Sequence, residues 1–245
     1  AKHGYLPIHE YLFGKDASVL KTKDRWDNSV LHLAVQHGFL EMVRYLVDVC
    51  NADMLESNNF FLYTPSIHIA AAEGKLDILK FFIDEKKIDA NLLDGSGQPC
   101  AFSAATYNHI NVMKYLAEET NAQLNITDNK GQNILYMSAI RGDLSIPKYL
   151  LDEQKLNFNM NARDKLGETV LLRAVIFNNF DYVKYLTGEK KADVNIPSFE
   201  SNTALHEAAK SGDLALVKHL VKCGASLDSV DCNSMTPVEV AANKR

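Results

Sequence analysis

The sequence predicts an all-α solenoid, a stack of antiparallel helix pairs joined by short loops. Three observations predict it. A residue that tolerates a left-handed backbone recurs at Gly4, Gly38, Gly74, Asn108, Gly142, Asn178 and Gly212, in steps of 34, 36, 34, 34, 36 and 34 residues. The same apolar frame follows each of these positions, and a shorter apolar stretch precedes it. Self-similarity at such a period marks a repeat architecture.

The first helix of each pair is the shorter stretch, such as Val30-Leu31-His32-Leu33-Ala34-Val35. It ends at the recurring Gly or Asn, which adopts positive φ at little steric cost and so caps the helix. The second helix follows the cap. Leu40, Met42, Val43, Leu46 and Val47 repeat as Leu76, Ile78, Leu79, Phe82 and Ile83, and again as Leu214, Leu216, Val217, Leu220 and Val221. That spacing is one face of a helix about three turns long. One such pair cannot bury its own apolar faces, but stacked pairs make a continuous core in which each unit touches only its neighbours.

No composition shift or Ser/Gly-rich linker divides the chain, so residues 1–245 are expected to form a single array of about seven helix pairs. Ala1-Lys2-His3-Gly4 reads as the tail of a first helix, and Ala241-Ala242-Asn243-Lys244-Arg245 stops at the same place in its unit. The array thus enters and leaves mid-repeat. A self-contained array carries polar capping repeats, so a fragment of a longer protein is expected.

Composition excludes several classes. The 26 basic and 31 acidic residues give a net charge of −5, which disfavours nucleic acid and anionic membranes as partners. No apolar run approaches the roughly 18 residues of a membrane-spanning helix. Cys50, Cys100, Cys223 and Cys232 include no C-x-x-C pair, and isolated thiols fit a reducing, cytoplasmic compartment.

The motif details resemble a known family. Ser29-Val30-Leu31-His32-Leu33-Ala34, Pro65-Ser66-Ile67-His68-Ile69-Ala70 and Thr203-Ala204-Leu205-His206-Glu207-Ala208 are similar to the Thr-Pro-Leu-His-x-Ala signature of ankyrin repeats. Thr236-Pro237-Val238-Glu239-Val240-Ala241 keeps the Thr-Pro and loses the His. Asp94-x-x-Gly97, Asp128-x-x-Gly131 and Asp164-x-x-Gly167 resemble the family's turn before each first helix, and Asp193-Val194-Asn195 and Lys222-Cys223-Gly224-Ala225 its inter-repeat segment. The resemblance spans essentially the whole chain. It implies hairpin-like inter-repeat loops and a motif His that hydrogen-bonds within them. Phe102, Tyr136 and Leu172 replace that His in three middle units, which are expected to rely on apolar packing. Of the two 36-residue steps, one is expected to lengthen the turn at Asn58-Asn59-Phe60-Phe61 and the other to extend a helix near Glu153-Gln154-Lys155.

No catalytic constellation stands out. His32, His68 and His206 sit one per unit, whereas metal ligands must converge on one ion at about 2 Å. No His-Glu-x-x-His, Gly-x-Ser-x-Gly or phosphate-binding loop occurs. Arg44, Lys80, Lys114, Lys148, Lys184 and Lys218 recur at the sixth position after the cap and should align as a stripe, read first as a solvated helix face and alternatively as a surface for a partner with a regular acidic face. The next position holds Tyr11, Tyr45, Phe81, Tyr115, Tyr149, Tyr185 and His219, expected to pack between units with hydroxyls reaching water.

By the resemblance, partners dock on the concave side, made of hairpin tips and the exposed face of the first helices. The apolar candidates there are Trp26, Phe61, Leu62, Tyr107, Ile176, Phe177 and Phe199, and exposed aromatic clusters mark interfaces. The expected protein is a monomeric, non-enzymatic interaction module that needs no cofactor, metal or small-molecule substrate. The alternative is a spacer or regulatory segment of a larger multidomain enzyme or channel, with a host-directed bacterial effector one form of it.

Overall fold

The computed structural model describes residues 22–58 and 64–243. Gly4, Tyr11, the residues from Asn59 to Leu62, Lys244 and Arg245 therefore lie outside the described residues. Backbone contacts divide the chain into two compact units, residues 1–124 and 125–245, and each is described by itself.

In the first unit, α1 (Val30–His37) pairs with α2 (Leu40–Asp48), α3 (Ser66–Ala72) with α4 (Leu76–Lys80), and α5 (Cys100–Thr106) with α6 (Ile110–Glu119). Two-residue strands β1 (Ser57–Asn58) and β2 (Thr64–Pro65) form an antiparallel hairpin between α2 and α3. In the second unit, α7 (Ile134–Arg141) pairs with α8 (Ser145–Lys148), α9 (Val170–Ile176) with α10 (Phe180–Lys184), and α11 (Ala204–Ser211) with α12 (Leu214–Lys222), before a final α13 (Pro237–Ala242). A π-helical turn prolongs α4, α8 and α10, over Phe81–Glu85, Tyr149–Glu153 and Tyr185–Glu189.

First helices pack on first helices. α1, α3 and α5 make one such row in the first unit, and α7, α9, α11 and α13 another in the second. The apolar frame read from sequence is the core: Leu46, Leu79, Phe82, Leu116, Leu150, Leu186 and Leu220 are fully buried.

Every described member of the recurring Gly/Asn series has positive φ, from 56° at Asn178 to 78° at Gly212. At two of them a second constraint operates. A Cβ on Gly74 would lie 2.5 Å from His109 Nδ1, because the His109 ring lies over the cap with Nε2 2.7 Å from Ala72 O. At Gly142 the Asn179 side chain occupies the Cβ position while its Nδ2 donates to Ile140 O at 3.3 Å. The missing side chain thus both frees the backbone and makes room for the following repeat.

The two long steps have different origins. In the first, the ladder partners Ser57 and Pro65 stand two residues further apart than Leu93 and Pro99, so the hairpin itself is lengthened. The second does not extend a helix as the sequence suggests. Lys155 follows its cap Gly142 at the same interval as Lys87 follows Gly74, and all three of Lys87, Lys155 and Lys191 turn the chain with positive φ. The two extra residues fall after Lys155, in a loop that buries Phe158.

Candidate functional site

Five of the described hairpin tips are built by one carboxylate at their first residue, and at a sixth Ser198 Oγ accepts only the Asn202 amide at 3.3 Å. Asp24 Oδ1 accepts the backbone N–H of Trp26 and Asn28, each at 2.9 Å. Asp94, Asp128, Asp164 and Asp231 repeat this for the residues two and four further on. The short polar side chain closes the turn locally, and residues 25–26 are left projecting. In the second unit the tips are also linked by main chain, with Lys165 N donating to Lys130 O, Phe199 N to Leu166 O and Cys232 N to Glu200 O.

Beside the tips, α1, α3 and α5 line a groove of about 550 Å³ in the first unit, a volume typical of ligand clefts. Its wall includes Leu33, Ile69 and Ser103, which hold the same position in the three first helices. Trp26 on its tip and Tyr107 at the end of α5 both line it and are 40% and 50% exposed. Of the four sequence candidates in this unit, the two described ones, Trp26 and Tyr107, are thus brought to one groove.

The groove is acidic. Asp24, Glu73 and Asp94 line it, and no Lys or Arg among the described residues does. Burial opposes ionisation of Asp24, but hydrogen bonds from Asn28 and from the Trp26 amide outweigh it and hold the carboxyl below its ordinary value. His68, also in the wall, is driven down from the ordinary imidazole value by burial, so it adds no charge at neutral pH.

The second unit dresses the same positions differently. Met137, Arg173 and Glu207 stand where Leu33, Ile69 and Ser103 stand in the first. The Arg173 guanidinium approaches the tip carboxylate of Asp164 at 3.9 Å and Glu168 at 3.5 Å. Ile176 and Phe177 end α9 and are exposed. Phe199 is 67% exposed on the next tip, with the Arg163 guanidinium 4.6 Å from its ring centre. Leu166, on the adjoining tip, is exposed as well. Phe61 and Leu62 lie outside the described residues.

Potential reactive groups are committed to the scaffold. His32 Nδ1 meets Ser29 Oγ at 2.9 Å and its Nε2 meets Glu56 O at 3.0 Å. His206 does the same with Thr203 and Met235, and His68 Nε2 meets Gln98 O. Cys100 is buried with Sγ 3.5 Å from Ala90 O, and burial pushes its thiol up to about 12. Among the described residues, no three His, Cys, Asp or Glu side chains gather as a metal site would require.

A family model described as "Ankyrin repeats (3 copies)" matches residues 1–94, 67–164 and 102–198, and one described as "Ankyrin repeat" matches 200–232. The chain belongs to the ankyrin-repeat family. Among solved structures, the ankyrin repeat domain of Bcl-3, titled a unique member of the IkappaB protein family, is 26% identical with a TM-score of 0.65. That match covers 87% of this chain and 94% of that one. No curated protein matches. Ankyrin repeats are in general protein–protein interaction modules, and no described helix is long and apolar enough to cross a membrane.

Several contacts between ankyrin repeats depart from the sequence expectation. Phe102 and Leu172 are buried apolar replacements of the motif His, but Tyr136 is not merely apolar. Its hydroxyl donates to Ala162 O and Glu168 O at 2.9 and 2.7 Å, reaching the next loop as the imidazoles do. In the aromatic column Phe81, Tyr115, Tyr149 and Tyr185 are buried and Tyr45 and His219 half-buried, and two of its hydroxyls bond to carboxylates of the preceding repeat instead of water: Tyr115 to Asp84 at 2.8 Å and Tyr185 to Asp152 at 3.1 Å. Much of the basic stripe is spent within the protein. Arg44 lies over the Phe81 ring and donates to Glu85 Oε2 at 2.6 Å, and Lys80 lies over Tyr115 and pairs with Glu119 at 3.3 Å. Lys148 is set over Tyr185 in the same way.

An asparagine ladder also escaped the sequence reading. Asn91, Asn125 and Asn195 each donate to a carbonyl of the following repeat's loop, and Asn161 accepts the Asp193 amide. The recurrence of these Asn at the repeat interval was its only sequence signal.

Proposed function

We propose that this ankyrin-repeat chain is a non-enzymatic module that binds another protein through its hairpin tips and first helices. The observation that carries the reading is the placement of Trp26 and Tyr107, both exposed, on the groove of the first unit. Large apolar side chains held on a rigid scaffold favour binding because little conformational entropy is lost. On the second-helix side, by contrast, Phe81, Tyr115, Tyr149 and Tyr185 are buried between repeats. Ile176, Phe177 and Phe199 extend the proposal to the second unit.

The test is affinity capture from lysate with the whole chain, comparing wild type with Trp26→Ala/Tyr107→Ala and with Ile176→Ala/Phe177→Ala/Phe199→Ala. A protein held by wild type and lost by either variant, at unchanged helicity, supports the module and locates its face. Capture of identical proteins by all three removes these residues from the interface. A fall of several degrees in Tm would reassign them to packing.

A further inference from the structure

We propose that the groove of the first unit receives an arginine side chain from the partner protein. The inference rests on the interaction-module reading and names what that groove takes. The three charged residues among its described lining, Asp24, Glu73 and Asp94, are all acidic. Arg25 does not line the groove, but its guanidinium, 3.7 Å from the centre of the Trp26 ring, also helps to hold the Asp24 carboxyl down, so Glu73 and Asp94 carry the negative charge left open.

A second observation points the same way. Asn58, 6% exposed in the groove wall, donates through Nδ2 to Asn28 Oδ1 at 2.7 Å, but its own Oδ1 accepts no hydrogen bond. A buried acceptor left without a donor is costly, and a ligand N–H relieves it.

The second unit supplies the template. There Arg173, four residues past the first-helix N-cap Thr169, faces the tip carboxylate of its own repeat, Asp164. The corresponding pair in the first unit is Ser103, four past Pro99, and Asp94. The tip carboxylate is kept, the guanidinium is absent, and both residues line open volume. Arginine suits this site better than lysine because its planar fork of five donors can serve a carboxylate and an amide oxygen together. Trp26 and Tyr107 would flank the incoming chain with aromatic surface.

The test uses the whole chain and immobilised hexapeptide mixtures, each with one residue type fixed at one position and the others randomised. Mixtures with fixed Arg should be retained about tenfold more than those with fixed Glu, and raised salt should erode the difference. Glu73→Gln/Asp94→Asn should remove most of that preference while keeping the fold, since Asn at 94 still offers the Oδ1 that closes the turn. Ser103→Arg, which rebuilds the arrangement of the second unit, should abolish it. Circular dichroism checks that each variant stays helical.

Equal retention of fixed-Arg and fixed-Glu mixtures overturns the inference, as does wild-type preference in Ser103→Arg. Retention of fixed-Leu or fixed-Phe mixtures, lost in Trp26→Ala and without any preference for Arg, overturns the arginine and leaves the interaction module standing. Retention of no mixture overturns the inference as well, whereas the module reading is decided separately by the capture experiment.

Discussion

Residues 22–124 and 125–243 place different charges on one scaffold. Both close tips with a carboxylate that accepts two backbone amides, Asp94 in the first and Asp164 in the second, and both end first helices on a residue with positive φ. Yet the groove of the first carries only acidic charge, while in the second Arg173 stands against Asp164 and Glu168. The core-facing positions of a repeat are dictated by stacking, so they recur. The outward position four past the N-cap is not, and a single arginine there, Arg173, answers the tip carboxylate Asp164 from within.

The strongest way to break this comparison is to unfold one unit under the other. Phe82 is fully buried, and Phe82→Ala should cost about 3–5 kcal/mol. Since stability in repeat arrays is built from nearest-neighbour contacts, hydrogen exchange should lose protection chiefly in residues 22–124. Uniform loss across 22–243 would mean that the units unfold as one block.

Tyr136→Phe sharpens the comparison from the other side, because it gives the second unit the residue type that Phe102 supplies in the first. Two carbonyls, of Ala162 and Glu168, lose their donor, at a cost of about 1–3 kcal/mol. Urea denaturation measures it. A neutral outcome would show that water takes over the hydroxyl's role.

Acid should separate the units next. Burial lowers the pKa of His32 and His68 in the folded first unit relative to the ordinary 6.5. Their contribution is therefore present above that value and is lost as pH falls through and below it, because the unfolded state takes up the protons first. In the second unit one histidine, the partly buried His219, is lowered in the same way, by burial and by Lys184 and Lys222, while Glu168 is raised, mainly by burial, so its folded form gains from protonation and acid relieves it. Exchange protection in 22–124 should thus decline first between pH 7.5 and 5.5. His68→Phe should flatten that decline, and parallel loss in both units would refute the assignment.

The smallest effect is expected at Arg44→Ala. The ion pair with Glu85 is half-exposed and screened by solvent, so Tm should fall only slightly and the difference should shrink in high salt. A large drop would mean that the cation over Phe81 matters more than the pair.

What the sequence made legible was whatever a single repeat dictates by itself. The six described caps, the Asp-x-x-Gly turns and the apolar frame are local patterns read by period, and they appear where expected. Exposure of Trp26, Tyr107, Ile176, Phe177 and Phe199 on tips and helix ends was legible for the same reason. The partners of Tyr115, Arg44, Tyr136 and Asn91 were not, since each bond joins residues about one repeat apart and depends on how neighbouring repeats are offset. The loop that buries Phe158 was misplaced because an insertion shifts the spacing without saying on which side of a helix end it falls. The groove escaped as well, since it needs three first helices and their tips side by side.

The caps at Gly74 and Gly142 bear on how such a gene can change its copy number. Each glycine is matched to the side chain that the downstream repeat lays over it, His109 or Asn179. Unequal crossing-over that deletes or duplicates a unit creates a new junction, and the junction works only when a small cap meets a residue able to reach the upstream carbonyls. Whole-repeat recombination is therefore permitted in some registers and penalised in others, so the order of the repeats is inherited along with their number.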